Sequence, residues 1–247
     1  MKLIWFISYN LIFYPLIFVI GLIFSLFDSK FRQGVAGRFR SQSELKKFFN
    51  SISNTAEIYW FHAASLGEFY QVKPVLEGLK NVEPECVAIV SFSSPSGYDN
   101  AKSDDIDLRI YMPFDFLWSV RRALKITRPK KVIFASYDIW PNMVWVAKKR
   151  NIHTNIFAAR IKDGSLKLKS GFFSFHKSVY QSISTIYTVA EKDYKKSISK
   201  HSQIYLDTSW WYVGDSLLEY KKKTEYDFSK LGILGAIKMY NWGVKKK

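Results

Sequence analysis

The apolar and polar positions divide the chain into an uncharged opening segment and a long alternating segment. Residues 3–27 contain no Asp, Glu, Lys or Arg. A helix over these residues would be about 37 Å long, and a hydrocarbon core is roughly 30 Å thick. We therefore predict a helical membrane anchor over residues 1–27. Four basic residues follow it, Lys30, Arg32, Arg38 and Arg40, which predicts that the rest of the chain lies on the cytoplasmic side of the membrane.

Two other interpretations of the opening segment have to be weighed. A secretory signal peptide has a shorter apolar region and ends in small residues, whereas this run ends in Ser25, Leu26 and Phe27. We therefore favour an uncleaved anchor. Shallow insertion parallel to the membrane plane stays open, with Trp5, Tyr9 and Tyr14 near the lipid headgroups.

Residues 28–55 are polar and basic, with a short amphipathic patch at Leu45 to Phe49. Basic residues close to a membrane are attracted to anionic lipid. We interpret the segment as a juxtamembrane connector that lies on anionic lipid. A plain solvated linker is the alternative.

Apolar runs and helical periodicity alternate through the next segment, which we assign to one domain over residues 56–220. This alternation predicts an α/β fold, a Rossmann-like domain with a mostly parallel sheet. The predicted strands are Ile58–Phe61, Val87–Phe92, Leu108–Met112, Val132–Ala135, Thr154–Phe157, Ile186–Val189 and Gln203–Leu206. The last segment, residues 221–247, is a basic tail.

Polar residues follow five of the predicted strands, where an open parallel sheet binds its ligands. These stretches offer hydroxyls, carboxylates and a cation, as a sugar or phosphate site needs: 62–68, 93–97, 113–115, 136–138 and 158–160. None contains the glycine pattern of a dinucleotide site or a Walker sequence. Nicotinamide and nucleoside triphosphate binding therefore lose their best support.

Charge and composition narrow the partners. The formal net charge is +16, which favours an anionic partner such as phospholipid, phosphorylated glycolipid or nucleic acid. Next to an apolar anchor, basic and aromatic runs indicate a lipid-facing surface, so we predict no nucleic-acid partner. The single cysteine, Cys86, excludes an internal disulfide, and the four histidines lack the spacing of a metal site. We predict no metal site.

Glu68 lies where a buried strand, a small-residue turn and a helix start follow one another. A carboxylate in the first turn of a helix often does no more than complement the helix dipole. At the carboxyl end of a strand it can also act as a general base. The pattern around Glu68 leaves both roles open.

Five stretches in order resemble the signature turns of the 3-deoxy-D-manno-octulosonic acid (Kdo) transferases. They are His62 to Glu68, Ser93 to Gly97, Tyr111 to Asp115, Asp138 to Asn142, and Ala159-Arg160. The resemblance covers residues 1 to 220 and includes the anchor and basic connector. It implies the N-terminal, acceptor-binding half of a glycosyltransferase B fold. It also implies transfer of Kdo from CMP-Kdo to lipid A precursor (lipid IVA) in lipopolysaccharide biosynthesis.

The same resemblance implies roles for individual residues. Glu68 is expected to be the general base, and Asp138 stands where the family has a glutamate that assists the transition state. Arg160 is expected to pair with acceptor phosphate or donor carboxylate. The remaining substrate-binding candidates are His62, Ser65, Gly67, Ser93, Ser94, Ser96 and Gly97. No cofactor is expected besides the donor substrate CMP-Kdo.

The sequence also departs from the family pattern. Leu217 stands where a basic residue should assist the departing phosphate, Ser136 where glutamate is common, and Ala158 where asparagine is common. The family continues into a donor-binding domain where this chain has the tail 221–247. We therefore expect weak or no transfer by this chain alone. Either the sequence is a fragment or truncated product, or the donor domain is supplied by a separate chain. The alternative function is a noncatalytic, membrane-anchored glycolipid-binding protein or scaffold.

Overall fold

The computed structural model of this protein describes residues 3–52, 56–136, 138–159, 170–188 and 204–206. Seven strands form one sheet in which every neighbouring pair is parallel. The strands are β1 Ile58–Ala63, β2 Val87–Phe92, β3 Leu108–Tyr111, β4 Lys131–Ala135, β5 His153–Ala159, β6 Thr185–Thr188 and β7 Ile204–Leu206. The predicted Rossmann-like α/β domain with a parallel sheet is confirmed.

Helices connect or cover the strands. They are α1 Leu3–Phe27, α2 Ser29–Ser51, α3 Leu66–Val82, α4 Pro95–Asn100, α5 Leu117–Thr127, α6 Pro141–Lys149 and α7 Ser170–Tyr180. Helix α1 contains a π-helical turn at Tyr9–Phe13. It is long and apolar enough to cross a membrane, by length and composition.

The order of the strands fixes where a ligand can bind. The sheet runs β3-β2-β1-β4-β5-β6-β7, so β1 lies between β2 and β4. From β1 the chain builds the sheet outward through β2 and β3, then returns to add β4 on the other side. Such a switch point opens a crevice at the carboxyl ends of the strands. The turns after β1 and β4 therefore meet beside one crevice.

Apolar side chains on each face of the sheet pack against helices. On one face, α3 packs Phe69, Val72 and Leu76 against the sheet, and all three are buried. On the other face, side chains of α2, α5 and α6 surround Trp60. Its indole N–H donates to Ser91 Oγ at 2.8 Å, which satisfies the polar atom of this fully buried side chain.

The segment that the sequence analysis treats as a connector forms helix α2, which packs on the sheet. Gly34, Gly37, Ser41 and Leu45 are its buried residues, spaced three or four apart along one face. Leu45 is fully buried in the same apolar cluster as Trp60. Helix α2 is thus part of the folded domain, although its mean composition is polar and basic.

Helix α1 is held by the buried carboxylate of Asp115, which follows β3. The Tyr9 hydroxyl donates to Asp115 Oδ2 at 2.8 Å, and the Asp115 N–H donates to the Tyr14 hydroxyl at 2.5 Å. The same carboxylate accepts from the N–H groups of Asn142 and Met143, at 2.9 and 3.0 Å, in the first turn of α6. Asp115 therefore joins α1 to α6.

Further contacts extend this attachment along one side of α1. Asn10 and Asn142 exchange side-chain hydrogen bonds at 3.1 and 2.9 Å, and the Trp5 indole donates to Ser174 Oγ at 3.0 Å. The opposite side of α1 exposes a row of large apolar residues that includes Leu11, Leu16 and Phe27. The helix therefore has one side attached to the domain and one apolar side open.

A methyl group at Gly37 should weaken the packing of α2 on β3. A Cβ there would lie 2.1 Å from the ring of Tyr111, which is buried and stacked on Tyr98. We expect Gly37→Ala to lower the free energy of unfolding by about 1–3 kcal/mol, as overpacking does. Urea unfolding followed by tryptophan fluorescence measures this.

Gly34 provides the matched control on the same helix. A Cβ there meets no atom closer than 3.7 Å, so Gly34→Ala should be stabilising by up to about 1 kcal/mol through helix propensity. Equal effects of the two substitutions would contradict the close approach at Gly37.

Asp115 should make the stability of the protein depend on pH. Burial raises the pKa of Asp115 from 3.8 to about 7, against the opposing effect of its hydrogen bonds and of Arg38. The folded state therefore holds a proton that the unfolded state releases. The stability that this proton contributes is fully present below pH 3.8 and is lost as pH rises through about 7.

The variant Asp115→Asn isolates this contribution, because an amide oxygen can still cap α6. We expect wild type to lose stability relative to Asp115→Asn as pH rises from about 4 to about 7. Urea unfolding at several pH values measures it. Parallel pH profiles for the two proteins would show that Asp115 does not titrate in this range.

Candidate active site

Glu68 lies in the first turn of α3, directly after the turn that leaves β1. The helix begins because Ser65 caps it, its hydroxyl accepting from the Glu68 N–H at 3.4 Å. Glu68 Oε2 accepts from the Ala64 N–H at 2.5 Å. The described residues provide no hydrogen bond to Oε1. One carboxylate oxygen is therefore held in place and the other is available to a ligand.

The surroundings of Glu68 favour its protonated form. Burial raises the pKa of Glu68 above its ordinary 4.5, the Ala64 N–H opposes this rise, and the negative charge of Asp138 adds to it. A carboxylate with a raised pKa is a stronger base, which suits proton abstraction near neutral pH.

Asp138 belongs to a network around His62. His62 is fully buried, and its Nε2 lies 3.1 Å from Asp138 Oδ2. Ser93 Oγ donates to the same carboxylate oxygen at 2.9 Å. The other ring nitrogen, Nδ1, lies 3.0 Å from Ser91 Oγ. Nε2 also lies 3.2 Å from the Trp140 indole nitrogen, and Nδ1 lies 3.1 Å from the Ser91 carbonyl oxygen. The buried ring of His62 therefore has polar partners at both nitrogens.

This network keeps Asp138 ionised. Burial alone would raise its pKa, but the hydrogen bond and charge of His62, the hydroxyl of Ser93 and the charge of Arg38 together lower the pKa to about 2. Asp138 and Glu68 are thus two neighbouring carboxylates whose pKa values are shifted in opposite directions. Such a pair is typical of sites that divide acid and base roles between two groups.

Arg38 of α2 also belongs to this region. Its guanidinium lies 4.6 Å from the centre of the Trp140 ring, and Nη1 donates to the Met112 carbonyl at 3.3 Å. Burial lowers its pKa, and the negative charges of Asp138 and Asp115 favour its cationic form. From the sequence alone, Arg38 indicates only membrane orientation. Its four-residue spacing from Gly34, which places both residues on one face of α2, is the sequence signal that could have assigned it to the site.

Two of the remaining candidates serve helix α4. Ser94 caps it by accepting from the Gly97 N–H at 3.4 Å, and its hydroxyl lies 3.0 Å from that of Ser96. Gly97 allows close packing, since a Cβ there would lie 2.5 Å from the Phe92 ring. The turn after β2 is therefore shaped by its own hydrogen bonds as well as by any ligand.

The structure brings most of the predicted site residues together but gives them different surroundings. His62 lies in the interior behind Asp138, while Gly67 is exposed at the start of α3. Arg160 lies outside the described residues, as do Leu217 and the tail 221–247. The predicted catalytic and substrate-binding roles stay predictions.

Two departures from the family pattern occupy left-handed backbone. Ser136 has φ 62° and Ala158 has φ 54°. Asparagine adopts this region more readily than alanine, which explains in physical terms why an asparagine suits position 158. Ser136 adopts it where its hydroxyl donates to Gln71 Oε1 at 2.8 Å.

Comparison with known proteins identifies the family. Residues 34–203 match the family described as 3-deoxy-D-manno-octulosonic-acid transferase (kdotransferase). The chain belongs to this family. The match begins at residue 34 inside α2, so the Kdo transferase domain begins before the first strand, in agreement with the packing of Gly37 and Leu45.

The similarity to individual Kdo transferases covers only part of this chain and only part of each relative. The chain is 33% identical over 118 residues to 3-deoxy-D-manno-octulosonic acid transferase of Aquifex aeolicus, covering 46% of this chain and 33% of that protein. It is 27% identical over 156 residues to the Haemophilus influenzae protein of the same name, covering 62% of this chain and 35% of that protein. The chain thus spans about a third of the length of these relatives.

Among solved structures, UDP-GlcNAc 2-epimerase from Neisseria meningitidis bound to UDP-GlcNAc aligns with a TM-score of 0.45. The sequence identity is 12%, and the alignment covers 67% of this chain and 50% of that chain.

Proposed function

We propose that this chain acts in lipopolysaccharide biosynthesis, as the acceptor-binding part of a glycosyltransferase that moves Kdo from CMP-Kdo to lipid A precursor. The observation that carries the proposal is the pair of carboxylates beside the β1–β4 crevice. Glu68 has a raised pKa and one oxygen that receives no hydrogen bond from the described residues, while Asp138 is held ionised. Membership of the Kdo transferase family supplies the substrate class.

Each carboxylate has one role in the proposed reaction. Glu68 Oε1 takes the proton from the acceptor sugar hydroxyl while its oxygen forms a bond to the anomeric carbon of Kdo. The bond from that carbon to the phosphate of CMP breaks, and CMP leaves with the electron pair. The negative charge of Asp138 favours the positive charge that develops at the sugar and keeps Glu68 basic.

The donor CMP-Kdo carries its own leaving group, so we propose that no other cofactor takes part. The absence of a nucleic-acid partner stays a prediction.

We propose that the protein works at the cytoplasmic face of the inner membrane, with α1 as its single N-terminal anchor. Tyr9 and Tyr14, on one side of α1, are engaged by Asp115, whereas the opposite side is apolar and exposed. A helix that crossed the bilayer in this attachment would carry the buried polar groups of the domain into lipid, which is costly. The attachment therefore favours the shallow, interfacial placement of α1 over a full span.

A noncatalytic glycolipid-binding protein or scaffold is the second candidate. One observation favours it, since the hydrogen bond from the Ala64 N–H gives Glu68 a structural role at the start of α3. In that case the glycolipid would bind while Glu68 serves only the helix.

The experiment compares Glu68→Gln with wild type for Kdo incorporation into lipid A precursor. Membranes from cells that lack their own Kdo transferase, and that contain this chain together with the donor-binding domain of a Kdo transferase, are supplied with CMP-Kdo and precursor. We expect Glu68→Gln to lower the rate by about 10²–10⁴-fold, as loss of a general base does. With wild type, the rate should fall as pH falls through the pKa of Glu68, which lies above 4.5.

Glu77→Gln is the matched control, because it makes the same change on the same helix outside the site. Its rate should equal that of wild type. Transfer that survives Glu68→Gln would refute the assignment of the base. Precursor binding without any transfer by wild type would reject the enzyme and favour the scaffold.

A further inference from the structure

A groove of about 870 Å³ lies between the second half of α1 and the first half of α2. Its lining is mostly apolar and includes Ile17, Leu22, Phe24, Phe31, Val35 and Phe114. Gly21 and Gly34 face it from the two helices, and they leave the space that larger side chains would fill. The groove therefore runs between the two helices beside the sheet.

One end of this groove is polar. Arg38, Ser93, Ser94 and Ser96 line it there, together with the Trp140 indole. Ser93 donates to Asp138, so the polar end adjoins the carboxylate pair. The groove thus has a cation and hydroxyls at the active site and mostly apolar walls away from it, with Asp28 and Lys30 lining it where α1 turns into α2.

The apolar end is open toward the exposed face of α1. Phe24, which lines the groove, is itself exposed, and its neighbours Ile23 and Phe27 belong to the exposed apolar row. Along α1 the lining runs from Tyr14 to Phe24, which is about 15 Å at 1.5 Å per residue. That is about half of a hydrocarbon core of roughly 30 Å, the reach of one acyl chain in one leaflet.

We propose that this groove binds one acyl chain of a phosphorylated amphiphile, with its phosphate near Arg38 and its sugar toward Glu68. The charge of Arg38 complements a phosphate, and the apolar walls complement the chain. The inference rests on the proposed function, since it makes the amphiphile the acceptor glycolipid. It assigns α1 and α2 a part in acceptor selection as well as in attachment to the membrane.

Photolabelling tests the groove without requiring transfer. The full chain in detergent micelles is irradiated with hexadecyl phosphate that carries a diazirine in its alkyl chain, and the labelled residues are mapped by mass spectrometry. We expect saturable labelling of Ile17, Val35 and Phe114, prevented by excess unlabelled hexadecyl phosphate. The corresponding alcohol, which lacks the phosphate, should label these residues more weakly.

Leu22→Trp and Ile23→Trp form a matched pair on α1. Leu22 lines the groove, whereas Ile23 is exposed and does not line it. We expect Leu22→Trp to weaken labelling about tenfold, or about 1.4 kcal/mol, and Ile23→Trp to leave it unchanged. Val35→Trp blocks the groove from α2 and should match Leu22→Trp, so a folding defect of either variant alone does not decide the result.

Two results would overturn the inference. Unsaturable labelling spread along Leu11, Leu16 and Ile20 would show only detergent-like contact with the exposed face of α1. If Leu22→Trp and Val35→Trp both leave the labelling unchanged, the alkyl chain of the probe does not bind in the groove. Neither result depends on CMP-Kdo. Binding of the probe in the groove, without Kdo transfer when a donor-binding domain is present, would refute the proposed function and leave the groove as a binding site.

Discussion

The buried carboxylate of Asp115 is the point on which the arrangement of the helices depends. It satisfies two N–H groups at the start of α6 and accepts from the Tyr9 hydroxyl of α1. Those N–H groups would otherwise be left without partners inside the protein, at a cost of about 1–3 kcal/mol each. The loop that carries Asp138 and Trp140 leads directly into α6. Its position therefore depends on the same carboxylate that attaches α1.

The sheet could be predicted because its signal is local. Runs such as Val87–Phe92 are apolar on both faces, as in a central parallel strand, and the structure confirms the strand with those bounds. The strand ends are harder to predict: β5 extends over His153–Ala159, beyond the predicted Thr154–Phe157, because His153 pairs with β4 and Ala159 pairs with β6.

Packing of α2 could not be foreseen from its average polarity. Its buried face consists of glycines, a serine and one leucine, so close approach, rather than apolar area, attaches it. The His62 network was equally hidden. Its members come from β1, the turn after β2 and the turn after β4, which lie far apart in the sequence. The motifs predicted which residues matter at the crevice, but the opposite pKa shifts of Glu68 and Asp138 follow from burial and neighbours, which only the fold provides.

Trp140 belongs to two environments at once. One face of its indole receives Arg38, its ring lines the groove, and its N–H lies 3.2 Å from His62 Nε2. That nitrogen is also the partner of Asp138. An occupant of the groove would therefore press on a side chain that touches the support of a catalytic candidate. Whatever fills the space between the two helices can thus adjust the charge balance of the crevice through a single ring, without reaching either carboxylate.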